Sequence, residues 1–412
     1  MKKHHRLILC ILLLIIPCLS LAAGDFGIIL DQSGSYSGIS GGDSSDNITE
    51  YTGSLIPRFS ALIGERGDIY LSAGLNMEYT NEEWHFVPEL LRTEFNWLSD
   101  NAAFTAGRMH YSDPLGFIAQ GLFDGAQVSF NTAYGTFSAG AWYTGFLYKK
   151  RAEIAMTGAE MENYNADLDY GDFVDTYFAS RRLLSALDWE HPSLVGGFVR
   201  AKLSLMGQFD LNDEDYKLHS QYVTGKLSLP AGAFLFDIGG SFGLFHATGE
   251  DAEPAFAAEA GVAYTLPTSF PSRLSFLGRY SSGVADNGSY VAFIPVTTQP
   301  HGSVIEAKIT GITMLSLDYI ARLHRTVAIS IASSYFIRSD LGTYTAYPVY
   351  LGSDTDKGYF LGNEFFARLF WNPVSDLSFN LGGGVFLPSM GNVASSADPM
   401  WRVELNLVLS LY

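Results

Sequence analysis

The fold class expected of this chain is all-β: a closed antiparallel transmembrane β-barrel of about 16–18 strands, with 18 favoured. Three observations lead there. The last segment, Trp401 to Tyr412, puts Trp401, Val403, Leu405, Leu407, Leu409 and Leu411 on one face and Arg402, Glu404, Asn406 and Ser410 on the other. A greasy face backed by a charged one suits a wall with lipid outside and water inside. The chain is 47% hydrophobic and 14% aromatic with only 17% charged residues. Beyond the N-terminal segment it nevertheless has no apolar run of the ~18 residues a membrane-spanning helix needs. Finally, its connections alternate between short turns and long loops, as in barrels with tight turns on one side of a membrane and loops on the other.

Taken in order, residues 1–22 read as a signal peptide. Lys2, Lys3 and Arg6 form a basic start, Leu7 to Leu21 is apolar, and Ser20-Leu21-Ala22 fits a signal-peptidase site. The barrel then occupies residues 23–412. Both cysteines, Cys10 and Cys18, fall in the leader, so the exported part has no disulfide to lean on. Loss of the leader's three basic residues takes the formal net charge from -18 to about -21. That balance excludes nucleic acid as a partner.

Period-two patterning marks strands over Ile69–Tyr79, Trp84–Trp97, Ala102–Tyr111, Gly196–Phe209, Lys217–Leu229, Ala233–Ala247, Arg273–Gly283, Ser303–Tyr319, Arg325–Arg338, Tyr359–Trp371 and Leu377–Leu387. Short connections include Ile63–Gly67, Leu98–Asn101 and Asn372–Asp376. Long ones include Asp31–Thr52, Lys149–Ser180, Val284–Gly302, Ser339–Lys357 and Pro388–Pro399. Trp97, Trp189 and Trp371 precede short turns, and Trp84 and Trp401 flank long loops, as two aromatic girdles would require.

Parity assigns the lumen. By parity the candidate pore-lining residues are Arg92, Glu94, Arg200, Lys202, Glu306, Lys308, Glu364, Arg368, Arg402 and Glu404; Arg108 and Asp124 join them on the separate ground given below. Ile305, Ala307 and Ile309 are then lipid-facing partners of Glu306 and Lys308. An Arg or Lys at the lipid midplane costs about 2–4 kcal/mol, so this many mid-strand charges demand a wet interior. The acids of Glu153–Asp175 and Asp210–Asp215 read as a solvated outer rim, without the spacing of a calcium loop. The mostly uncharged stretch Ser112–Gly121 is expected to fold into the lumen, with Lys149–Ser180 a competing constriction.

Ala106-Gly107-Arg108 with Asp113 and Phe123-Asp124-Gly125 resembles the G-R…D-G stretch of alginate-export-like outer-membrane porins. Gly362-Asn363-Glu364, then Leu381-Gly382-Gly383-Gly384-Val385-Phe386 and Pro388, resembles a second pattern near those proteins' ends. The resemblance covers a minor part of the chain. It implies a monomeric barrel of about eighteen strands, with Arg108 facing inward, that passes anionic sugars or other small solutes. Thr105, Gly107 and Met109 would then face lipid. Asp124 shares parity with Ala126, Val128 and Phe130, so an inward Arg108–Asp124 pair needs a bulge at Gly125.

The expected function is an outer-membrane porin passing small hydrophilic solutes, with the lipid bilayer and the barrel-assembly machinery as its other partners. The alternative is an adhesin or structural barrel acting through acidic outer loops. An enzyme would need a nucleophile and base together, and His110 near Ser112 and Asp113 is the sole candidate, on alternating faces. Dispersed histidines suggest no metal, and no cofactor is expected. Oligomeric state is not read from the chain itself. Tyr412 is in phase with Ser410 and Val408 rather than with the leucine row, so a terminal assembly signal calls for a bulge or a shifted register.

Overall fold

The computed structural model describes residues 24–42, 47–80, 83–154, 156–341 and 358–412. The leader expected at residues 1–22, with both cysteines, lies outside them. Eighteen strands run in chain order: β1 (Gly24–Ile39), β2 (Ile48–Ile63), β3 (Gly67–Thr80), β4 (Glu83–Leu98), β5 (Ala102–Ser112), β6 (Gln120–Thr132), β7 (Gly135–Tyr143), β8 (Arg182–Ser193) and β9 (Val199–Asp210), followed by β10 (Leu218–Ala231), β11 (Phe234–Ala247), β12 (Glu253–Thr265), β13 (Ser272–Ser281), β14 (Ile312–His324), β15 (Val327–Arg338), β16 (Phe360–Val374), β17 (Leu377–Leu387) and β18 (Met400–Leu411). Each pairs antiparallel with the next, and β18 pairs with β1, so the sheet closes. Closure satisfies the backbone of a sheet that would otherwise present an open edge to hydrocarbon.

The faces follow the two-residue period. On β18, Val403, Leu405 and Leu411 are exposed on the outer face. Arg402 and Glu404 point inward to Glu306 and Arg368. Trp84, Trp97 and Trp371 are exposed near strand ends, while Trp401 packs on Tyr36. The sixth tryptophan, Trp142, is buried against Tyr111 inside the barrel.

Two expectations about elements change. Asp31–Thr52 was expected to be a long loop, yet β1 and β2 each extend for 16 residues through most of it. Ser33 and Ser35 face the lumen there, alternating with Gly34 and Tyr36. Small polar and glycine residues make a valid strand but carry almost no hydrophobic contrast. Ser303–Tyr319 was expected to be one strand, yet β14 starts at Ile312. The Val304–Ile309 stretch is a loop, and Ile305, Ala307 and Ile309 are buried in protein rather than facing lipid. Gly302 (φ 86°) and Gly311 (φ 62°) bracket it in conformations open to glycine. Alternation of apolar and charged residues does not distinguish a lipid boundary from a packed protein boundary.

The apolar core sits inside the barrel. Three connections, 113–119, 144–181 and 282–311, fold inward. Leu115, Phe117 and Ile118 of the first pack with Phe293, Val296 and Ile305 of the third in one buried cluster. The first crosses the lumen far enough for Leu115 to meet the inner face of β11 at Gly239. Ser112–Gly121 thus folds inward as expected, in company with the other two.

One part of the wall is incomplete. β4 and β5 share a ladder only over Thr93–Leu98 and Ala103–Arg108. Above it, towards the long-loop end, β4 keeps its ladder with β3 alone.

Candidate functional site

The inward loops are held by buried carboxylates that accept backbone N–H groups. Asp113 accepts from Leu115 (2.8 Å), Gly116 (3.1 Å), Ile118 (2.8 Å) and Ala119 (3.0 Å), closing the 113–119 turn on itself. Glu364, on β16, accepts from Ser303 (2.6 Å), Val304 (2.9 Å) and Ile305 (3.2 Å). Glu364 is therefore an anchor of the 282–311 loop more than a free lumen charge. A carboxylate cradled by several N–H donors is a strong, directional fixing point.

The 144–181 loop carries helices α1 (Lys149–Ala152), α2 (Gly158–Asn165) and α3 (Phe173–Tyr177). Thr157 and Glu160 form a capping box at the start of α2. Glu160 also pairs with Arg182, which pairs with Asp210 in turn. Arg182 is 0% exposed and its two acidic partners 2% and 1% as side chains, so this is a desolvated triad. Removing one member of such a cluster leaves an uncompensated buried charge. Glu160 and Asp210 are thus structural and not part of the expected solvated rim. Asp169, Asp172, Asp175 and Asp213 are exposed, as that expectation had it. Asp113 is wholly engaged with backbone, so it does not orient His110 for catalysis.

Between this loop and the wall of β1–β4 and β18 lies the open space. One cavity of about 680 Å³ is lined by Glu50, Glu78, Lys150, Glu153, Arg402 and Glu404, among others. A second of about 510 Å³ is lined by Asp31, Ser54, Glu78, Lys150, Arg151 and Glu153. Arg402 bridges Glu306 (2.7 Å) and Glu50 (3.7 Å), and Arg368 holds Glu404 at 2.8 Å and Ser303 at 3.2 Å. Arg151 reaches Glu89 at 3.2 Å. Gln299 Nε2 donates to Glu153 at 3.2 Å, tying the 282–311 loop to α1's end. Burial pushes the Glu153 carboxyl up to about 6. It raises Glu306 and lowers Lys150 and Lys308 as well. Each disfavours its charged form because water is scarce around it.

The expected lumen residues divide as follows. Arg92 binds Glu94 through two hydrogen bonds of 2.8 and 2.6 Å. Lys202 pairs with Glu190 at 3.0 Å near the short-turn end, with Arg200 on the same face. Arg368, Arg402 and Glu404 face the open space. Glu306 and Lys308 reach it from a loop and not from a strand; Lys308 Nζ lies 3.4 Å from Met161 Sδ.

Arg108 and Asp124 depart from expectation. They sit opposite each other and bind through contacts of 2.9 and 2.7 Å. No register shift occurs at Gly125, so no bulge turns Asp124 inward. Both lie on the outward face: Arg108 stands opposite Thr93, in phase with Phe95 and Trp97, and Asp124 opposite Tyr143. Met109 and Tyr111 point inward, where Tyr111 reaches Asp188 and Ser204 across the lumen. The pair forms, but outside the lumen.

Several residues escaped sequence reading. Lys226 and Arg279 both bind Glu259 at 2.8 Å on the inner wall. Lys150 and Arg151 of α1 line the open space, and Glu89 holds Arg151. The first group was legible from strand parity; the loop charges depend on tertiary folding of α1. At the end of β18, the ladder runs unbroken to Leu411, and Tyr412 lies under the Arg58 guanidinium, 4.2 Å from the ring centroid. The terminal phase thus arises without a bulge.

No family model and no curated protein matches this chain. Solved structures do. Pseudomonas aeruginosa OccK2 (OpdF) in complex with glucuronate is similar at 14% identity and a TM-score of 0.61, covering 94% of this chain and 98% of that one. P. aeruginosa OpdQ matches at 10% identity and 0.57, with 95% and 99% covered. The P. aeruginosa outer-membrane protein OpdK matches at 12% and 0.57, with 94% and 98% covered. At these identities the likeness is one of fold: a large closed barrel, matched over nearly its whole length.

Proposed function

We propose that the protein is an outer-membrane channel that passes small hydrophilic solutes by diffusion through a loop-narrowed lumen. The observation that carries this is the charged space between α1 and the wall of β1–β4 and β18, inside a closed barrel whose other half is packed with apolar loop. An apolar lumen would exclude ions; this one offers fixed charges of both signs at the narrowing. The folds of OpdK, OpdQ and the glucuronate-bound OccK2 support the reading. Residues 1–22 would be removed on export, the long-loop end would face outward, and Arg92, Glu94, Arg200, Lys202, Glu306, Lys308, Arg368, Arg402 and Glu404 would line the path. Small solutes, lipid and the assembly machinery remain the partners of this reading.

The solute class follows from the local balance. Asp31, Glu50, Glu78, Glu153, Asp167, Glu306 and Glu404 narrowly outnumber Lys149, Lys150, Arg151, Lys308, Arg368 and Arg402 around the two cavities. The path therefore favours cationic or zwitterionic solutes over the polyanions of the alginate-export-like porins, while the large-barrel side of that resemblance is kept. The adhesin alternative draws less support, since three long connections fold inward instead of outward. Reconstitution in planar bilayers should give discrete conductance steps with cation preference. A folded barrel that stays silent contradicts the channel, and one that prefers anions contradicts the solute class.

A further inference from the structure

The wall between β4 and β5 is closed by side chains and by a loop where every other neighbouring pair closes by a longer ladder. Ten residues of β4, Glu83–Arg92, have no strand partner on the β5 side. Carbonyls on that edge are nonetheless capped. Tyr170 Oη donates to Phe86 O, Tyr177 Oη donates to Pro88 O at 2.7 Å, and Arg108 Nη1 donates to Leu90 O. The alternate spacing, 86, 88, 90, is that of groups pointing to one side of a strand. Pro88 belongs to the same series, so the N–H it lacks is one that would have faced the open edge. Proline in that position marks an edge strand. The sequence thus provides for an open seam here instead of failing to close it.

What fills the seam is the loop that forms the constriction. Val87 is fully buried against Tyr148 and Tyr177, with Leu168, Phe173 and Phe178 packed around them. Arg108 stands at the apex, where the ladder ends at Thr93. It is 4% exposed and holds Asp124 of the wall, Leu90 O of β4, and Phe146 O (3.0 Å), two residues before Tyr148. Tyr148 leads straight into α1, which carries Lys150, Arg151 and Glu153 into the lumen. Arg151 and Tyr148 return to Glu89 and Glu78 on the inner faces of β4 and β3.

We propose that Arg108 is a positioning residue for the channel: from the outward face of the barrel it clamps the root of the 144–181 loop into the β4–β5 seam and so fixes the aperture. Asp124 orients its guanidinium, and the guanidinium's planar fork lets one side chain serve two strands and a loop at once. The consequence is that a residue with no contact with the permeation path controls how steadily it stays open. This rests on the channel reading.

The test uses single-channel recording of full-length R108Q, of Y170F/Y177F, and of wild type, each checked for folding by heat-modifiable electrophoretic mobility. Losing a charge-assisted contact should raise the rate of brief closures about tenfold, with the cation-to-anion permeability ratio unchanged because no lumen charge is altered. Residues 23–412 contain no cysteine, so rescue is direct in protein from which residues 1–22 are removed. Leu90→Cys and Phe146→Cys are placed in the R108Q background and joined by a short bismaleimide, which should restore quiet openings. If R108Q does not fold, Y170F/Y177F carries the test with a smaller rise in closures. Folded variants that gate like wild type, a changed permeability ratio, or cross-linked channels as noisy as the uncrosslinked ones overturn the proposal. A silent wild type would instead remove the channel reading itself.

Discussion

Asp113 shows how one side chain can set a loop. Its two oxygens accept four backbone N–H groups inside the packed lumen. Replacing it by Ala leaves those donors unsatisfied, each costing about 1–3 kcal/mol when buried. D113A should lose its grip on the 113–119 turn and show a larger conductance; an unchanged conductance in a folded D113A barrel would contradict that role. Glu153 gives a pH dependence. Its carboxyl is pushed up to about 6 by burial, above its ordinary value, so its ionised form is the disfavoured one in the fold. Lowering the pH from 8 to 5 therefore removes a negative charge from the narrowing and eases loop packing. Cation preference should fall across a midpoint near 6, and E153Q should flatten that profile. A wild-type profile that is flat from pH 8 to 5 would refute it. At Arg402, the guanidinium shields Glu306 and Glu50, so R402Q should raise cation preference, read as a shift in reversal potential under a salt gradient.

At the level of elements, the loop-against-wall contacts are the sensitive ones. A Cβ at Gly239 would lie 2.4 Å from Leu115 Cδ2 and 2.9 Å from Gly225 O. G239V should push the 113–119 loop off the β11 face, and conductance should rise while the barrel remains folded by electrophoretic mobility. Most of the strands were legible because lipid imposes a sharp contrast between faces, as in β18, where Val403 and Leu405 alternate with Arg402 and Glu404. The Ser33–Tyr36 stretch of β1 was illegible because serine and glycine give no such contrast. The stretch 304–309 misled because its alternation is satisfied by a protein interior. Arg108 misled for another reason. The resemblance placed it facing inward, yet Asp124 and two backbone carbonyls satisfy it in the wall. Parity alone had in fact placed Asp124 with Ala126 and Val128, and the geometry agrees.

For the whole molecule, the barrel divides into a packed half and a wet half. Apolar loop residues pack against inner faces from β5 to β17, and charged residues line the side of β1–β4 and β18. With a formal net charge of -18 for the whole chain, about -21 without residues 1–22, the proposed channel should repel small anions over roughly a Debye length, about 10 Å at 0.1 M salt. Cation preference should therefore be strongest in dilute salt and fade towards molar concentrations, where screening reaches only ~3 Å. The strand count, closure and loop alternation followed from lipid and hydrogen bonding alone. The path itself depends on where three loops settle, which no local pattern encodes. The most direct test of the central claim is single-channel current through the purified, folded protein in a planar bilayer under a salt gradient. Discrete steps with a reversal potential of the cation-selective sign are the predicted result. A folded barrel without steps, whatever the voltage, would contradict it.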